Sequence, residues 1–197
     1  MTNSSSSTVP NSFRIPTYTI RDADEVDLPG MLEILNEQVA TNTALLRDDP
    51  FDLDDRRKWM RDTKLAGFPI FVAVPSNPDP PSPSVLGFAY YSTFRPREGY
   101  RFTAENTIYV HQSIRGGKIG TALMQRLLSF ARDQGKVHAL VGVITASNAD
   151  SIRFHERFGF VDVGTMREVG YKFGEWQDVT FMQLILPGEG PSRSEGK

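Results

Sequence analysis

Residues Ile114 to Leu123 read IRGGKIGTAL, a glycine-rich turn that leaves a strand-like run and becomes an amphipathic helix. Ahead of it, Asn106 to His111 (NTIYVH) is rich in β-branched and aromatic residues. Behind it, Ile119, Ala122, Leu123, Leu127, Phe130 and Ala131 recur at helical spacing. The turn therefore falls at a helix N-terminus, where unpaired backbone N–H groups and the positive end of the helix dipole can hold a phosphate. Arg115 and Lys118 add positive charge there. Spacing separates the candidate motifs. A P-loop requires Ser or Thr after its Gly-Lys, whereas Gly117-Lys118 is followed by Ile119. A dinucleotide fingerprint requires GxGxxG, which Gly116, Gly117 and Gly120 do not supply. For the glycine pair taken alone, a tight turn without a ligand is the competing reading.

Outward from this turn, composition fits one small domain. The chain has 197 residues with 39% hydrophobic content, enough for a single core. Its 22 Lys and Arg against 24 Asp and Glu give no basic excess for nucleic acid, so a small-molecule partner is expected. Cysteine is absent and the three histidines lack metal-ligand spacing, so neither a thiol nucleophile nor a metal centre is expected. No stretch of the sequence reads as membrane-spanning or as a secretory signal, which makes a cytoplasmic location the expectation. The polar stretches 1–16 and 188–197 read as disordered tails around a domain at 17–187. Pro75 to Ser84 (PSNPDPPSPS) reads as a surface insertion between two strands.

The remaining pattern alternates strands and helices. Strands are expected at Tyr18–Arg21, Ile70–Val74, Leu86–Phe94, Phe102–His111, Val137–Thr145, Phe160–Glu168 and Val179–Leu186. Asp24 is the expected cap of a helix carrying Leu28, Met31, Leu32, Leu35 and Val39. Asp54 is expected to start a second helix, with Trp59, Met60 and Leu65. The helix after the glycine turn should reach about Gln134, and a short one should run from Asn148 to Phe158. The order implies an α/β (α+β) architecture of one sheet covered by helices.

RGGKIG followed by TAL, after a strand ending YVH, resembles the coenzyme A pyrophosphate loop of the GNAT superfamily of N-acetyltransferases, whose usual pattern is Gln/Arg-x-x-Gly-x-Gly/Ala. Arg115 and Gly120 fit its ends, while Lys118 stands where the pattern has glycine. ASNADSIRFHERFGF, Ala146 to Phe160, resembles a later motif of the same superfamily. TAENTIYVH and REVGYKFGEWQDVTFMQL extend the resemblance to the phosphinothricin acetyltransferase branch, over about Tyr18 to Leu186. The resemblance implies a mixed, mostly antiparallel sheet with helices on both faces. It also implies acetyl-CoA as co-substrate, direct transfer to the amine of a small amino-acid-like acceptor, and a homodimer. The coenzyme would meet Val110, His111, Arg115, Gly116, Gly117, Lys118, Ile119, Gly120, Thr121, Asn148 and Ser151. The acceptor would meet Arg97, Tyr100 and Thr103, with Thr41–Asp52 forming one pocket wall. Lys172, Phe173 and Trp176 mark the branch and would close a pocket or a dimer interface, or simply pack as aromatics.

The chemistry needs a base, because an amino acid's α-amine, of reference pKa about 7.7 to 8, is partly protonated at neutral pH. The candidates are Glu105, on the strand before the glycine turn, and His155, on the helix after Asn148; the resemblance places both near the acceptor pocket, and Glu105 through a water is favoured. Each has an inert reading: a glutamate paired with an arginine, and a histidine satisfied in the core. An oxyanion donor is also needed, and the resemblance implies the backbone N–H of Val110 for it. Tyr109, alternating with Val110, should face the core. Two other readings keep the fold: acetylation of a peptide, or binding of acetyl-CoA without catalysis.

Overall fold

The computed structural model describes residues 16–77, 83–114 and 118–187. Arg115, Gly116 and Gly117, the centre of the proline-rich insertion and the tails at 1–15 and 188–197 lie outside the described residues.

The strands are β1 (Tyr18–Asp22), β2 (Ile70–Pro75), β3 (Gly87–Thr93), β4 (Thr103–Val110), β5 (Ala139–Thr145), β6 (Val161–Lys172) and β7 (Glu175–Ile185). The helices are α1 (Leu28–Thr41), α2 (Leu53–Leu65), α3 (Ile119–Gln134) and α4 (Ala149–Glu156). One seven-stranded sheet runs β1-β2-β3-β4-β5-β7-β6. Only β4 and β5 pair in parallel, across the crossover helix α3.

Alternation along the strands builds a core on each face. Phe71, Leu86, Ala89, Leu140 and Met182 pack with α3 residues Leu123, Met124 and Leu127. On the other face Ile70, Val72 and Phe88 pack with α1 residues Met31 and Ile34 and with Met60 of α2. This is the expected sheet covered on both sides.

Two local expectations change. The cap of α2 is Asp52, whose carboxylate accepts the Asp55 N–H at 2.8 Å, so Asp54 lies inside the first turn and not at the boundary. An N-cap oxygen reaches the amide two or three positions on, and Asp54 in the first turn still favours the helix dipole. The last two strands are also longer than expected. They form one hairpin turned by Phe173 and Gly174, both at positive φ (+54° and +80°), as a tight two-residue hairpin turn requires.

Candidate active site

β4 pairs with β5 only over Thr103–Glu105 against Ala139–Val141, whereas β5 pairs with β7 along its whole length. Beyond Glu105 the two parallel strands splay. A cavity of about 970 Å³ occupies the wedge, lined by the second half of β4, the end of β5 and the N-terminal turns of α3 and α4.

The splay frees main-chain groups. In an antiparallel pair the hydrogen-bonded positions alternate, and the His111 N–H donates to the Leu86 carbonyl at 2.9 Å. The N–H of Val110, one residue earlier, therefore points away from β3, into the wedge. It is placed to donate to an oxyanion. At the same end, Lys118, Ile119, Gly120 and Thr121 line the cavity at the start of α3. Lys118 is the N-cap and adopts φ +60°, ψ +8°. This left-handed conformation accounts for the glycine that the GNAT pattern carries at this position, and a lysine there costs roughly 1–2 kcal/mol of backbone strain. Asn148 caps α4 by accepting the Ser151 N–H at 3.1 Å, and both residues line the cavity. His111 is not among the lining residues. Its Nδ1 lies 2.8 Å from the Ser113 hydroxyl and its Nε2 3.8 Å from a Glu33 carboxylate oxygen.

The two candidate bases stand on opposite faces of the sheet, because adjacent strand residues alternate. Glu105 shares its face with Thr107 and Tyr109, near Tyr90 and the Asn42–Leu46 segment that follows α1. Among the described residues it forms no ion pair. Burial pushes its pKa above the usual carboxylate value, as removal of water from a charge must. His155 reaches instead to Asn106 on the other face. A carbonyl can only accept, so His155 Nδ1–H donates to the Ser151 carbonyl (2.8 Å) and Nε2 accepts from the Asn106 amide (3.0 Å). The ring is buried, which lowers its pKa and keeps it neutral. Both ring nitrogens are thus engaged within the protein, and the ring braces β4 against α4.

Tyr109 faces away from Val110 and packs 5.6 Å from the Phe88 ring. Burial raises the pKa of both Tyr109 and Tyr90, so neither phenol is acidic enough to protonate a departing thiolate of pKa about 8.5 with ease. The acceptor candidates are more peripheral. Arg97 and Tyr100 sit on the β3–β4 connection, where Tyr100 packs 5.9 Å from Phe94, and Thr103 opens β4. None of the three lines the cavity.

Three contributors were not singled out from the sequence. Asn106 holds His155, and its Oδ1 is buried without a protein partner. Gly142 leaves the room for that ring: a Cβ there would lie 3.1 Å from His155 Cδ2. Thr145 donates to the Thr43 carbonyl at 2.5 Å, tying β5 to the cavity wall. Of these only Gly142 carried a signal, since a lone glycine inside a strand marks close approach of another group.

Residues 31–160 match the acetyltransferase (GNAT) family. The chain is 44% identical over 176 residues to an L-methionine sulfoximine/L-methionine sulfone acetyltransferase of Pseudomonas aeruginosa, covering 89% of this chain and 97% of that protein. A ribosomal-protein-alanine N-acetyltransferase from Brucella melitensis has a solved structure that superposes with a TM-score of 0.80 at 42% identity, covering 85% of this chain and 99% of that one. A GNAT superfamily phosphinothricin acetyltransferase from Sinorhizobium meliloti, solved in complex with acetyl-CoA, superposes at 0.80 with 34% identity, covering 86% and 89%. Two-sided packing on a sheet splayed at β4–β5, the start of α3 lining the splay, and these matches agree: the chain belongs to the GNAT family of acetyltransferases.

Proposed function

We propose that this protein transfers the acetyl group of acetyl-CoA directly to the free amine of a small amino-acid-like acceptor of the methionine sulfone, methionine sulfoximine or phosphinothricin type. The observation that carries the reading is Glu105, a half-buried carboxylate that forms no ion pair among the described residues, on the wall of a cavity into which the Val110 N–H also points. In this reading the thioester lies along the splay, with its phosphates at the start of α3 near Arg115 to Thr121. Glu105 accepts the amine proton through a water, the nitrogen attacks the thioester carbonyl, and the Val110 N–H donates to the oxyanion. Collapse of the tetrahedral intermediate expels the coenzyme A thiolate. Arg97, Tyr100 and Thr103, on and beside the β3–β4 connection, would meet the acceptor's acidic end, Arg97 offering a fork for two oxygens.

The names of the relatives point to a free amino acid and, through the Brucella structure, to an alanine of a ribosomal protein as acceptor. A panel assay separates them: coenzyme A release from acetyl-CoA with methionine sulfone, methionine sulfoximine, glufosinate, common amino acids and an alanine-initiated peptide. Turnover of one free amino acid well above the peptide is the expected result. Peptide turnover alone would move the function to protein acetylation, and binding of acetyl-CoA without turnover would leave a silent binder.

A homodimer in the cytoplasm belongs to the same proposal. Val161, Val163, Met166, Val169, Tyr171, Phe173 and Trp176, all on the β6–β7 hairpin, are each about half exposed or more, on a sheet edge that a second chain would cover. Sedimentation should give a dimer mass, and Trp176→Asp should shift it toward monomer. A monomeric wild type would end this part of the proposal. Among the described residues no helix is long and apolar enough to cross a membrane.

A further inference from the structure

Lys172, at the end of β6, is fully buried. Among the described residues it has no carboxylate within ion-pair distance. Its ammonium donates instead to three main-chain carbonyls: Leu45 at 2.6 Å, Asn42 at 2.7 Å and Gln38 at 3.4 Å. The Phe173 ring lies 4.8 Å from the same nitrogen. Three donors meeting three carbonyls satisfies a lysine's hydrogen-bonding capacity without any anion. Two of the carbonyls, those of Gln38 and Asn42, belong to the C-terminal end of α1, where the helix dipole favours a cation.

The segment so gripped is the cavity wall. Asn42 through Leu46 line the cavity opposite β4, and the segment forms no sheet ladder that could fix its shape. Its carbonyls are taken by side chains from the sheet: Asn42 and Leu45 by Lys172, Thr43 by Thr145. Leu46 in turn packs onto Gly170, where a Cβ would approach Leu46 Cδ1 to 2.4 Å. Within the wall, the Asn42 amide donates to the Gln38 side chain at 2.9 Å, and the Ala44 N–H donates to Asn42 Oδ1 at 2.9 Å. The strand that carries Lys172 and Gly170 is therefore a template for the wall, not only a sheet edge.

We propose that Lys172 is a positioning residue that sets the acceptor end of the cavity, its buried ammonium holding the Asn42–Leu46 wall in the shape that receives the amine substrate. Among the described residues its polar contacts all go to this wall and to Phe173, and none goes to α3, α4 or Val110. This assignment rests on the proposed acetyl transfer to a small amine for its kinetic consequence, but not for its structural one.

The test compares Lys172→Met with the wild type in two ways. In steady-state kinetics the acceptor KM should rise about 10- to 100-fold, as expected for loss of hydrogen bonds from a charged donor, while the KM for acetyl-CoA stays near the wild-type value. In amide hydrogen exchange, protection should fall over residues 42–47 and stay unchanged across α3 and α4. A merely structural lysine would raise both KM values together or lower protection throughout, and either result overturns the proposal. So does an unchanged acceptor KM. Should the Met variant fail to fold, Gly170→Ala, which keeps the ammonium and only presses on Leu46, should give the same acceptor-selective pattern, and a wild-type pattern there overturns it. If the wild type acetylates no amine, the functional reading fails on its own, and exchange at residues 42–47 still decides the role of Lys172.

Discussion

Glu105→Gln is expected to lower kcat/KM for the amine acceptor by about 10²- to 10⁴-fold, the range for loss of a general base, with acetyl-CoA affinity and melting temperature near those of the wild type. The carboxamide matches the carboxylate in shape and half-buried position, so packing on β4 is retained; only the capacity to take a proton is lost. Two features of the site set the size of the effect. No cation neutralises Glu105 among the described residues, and burial raises its pKa, which makes it a stronger base than a solvated carboxylate. The sign for pH follows. The working form is the ionised one, so activity is present above the raised pKa and lost as pH falls through it. The acidic limb of the kcat/KM profile should therefore lie above the ordinary carboxylate value of 4.5 and disappear in the Gln variant. A variant that kept wild-type kcat/KM and the same limb would assign proton removal to another group.

Local patterns were legible in the sequence, and pairings across the sheet were not. The bounds of α3 follow from spacing and from Gly135, which ends the helix in the left-handed conformation after Gln134. Asn148 was legible as the start of α4, because a cap is a contact over three residues. The β6–β7 hairpin is longer than its sequence pattern suggests, for a physical reason. Bulges between Asp162 and Gly164 and between Met166 and Gly170, with Glu168 at φ +52°, break the period of two on which strand recognition depends. The two candidate bases were both placed by resemblance. Their assignment to opposite faces, with Asn106 and not Glu105 as the partner of His155, depends on a contact 49 residues apart in the chain. Lys172 was visible only as a marker of the branch, since its carbonyl partners lie 127 to 134 residues away.

Gly142→Val should be nearly as damaging to activity as loss of the base, by a different route. Gly142 sits on β5 where the imidazole of His155 lies flush against the strand, and a Cβ would come within 3.1 Å of Cδ2 and 3.2 Å of Nε2. The ring cannot retreat freely. Its Nδ1–H is held by Ser151, and its far side packs 5.0 Å from Phe160. Valine must therefore push apart β5 and α4 or break the Asn106–His155 hydrogen bond, which is the brace at the root of the splay. Overpacking of this kind costs about 1–3 kcal/mol of stability, and a displacement of about 1 Å at the reacting groups costs on the order of 10²-fold in rate. Because Val110 and Asn106 share β4, movement of the brace also turns the free N–H groups that line the wedge. The variant should melt lower than the wild type and lose kcat more than acceptor affinity, the reverse of the pattern expected for Lys172→Met. Differential scanning calorimetry with steady-state kinetics checks both parts. If Gly142→Val keeps the wild-type kcat, the Asn106–His155 brace has no part in shaping the catalytic wedge.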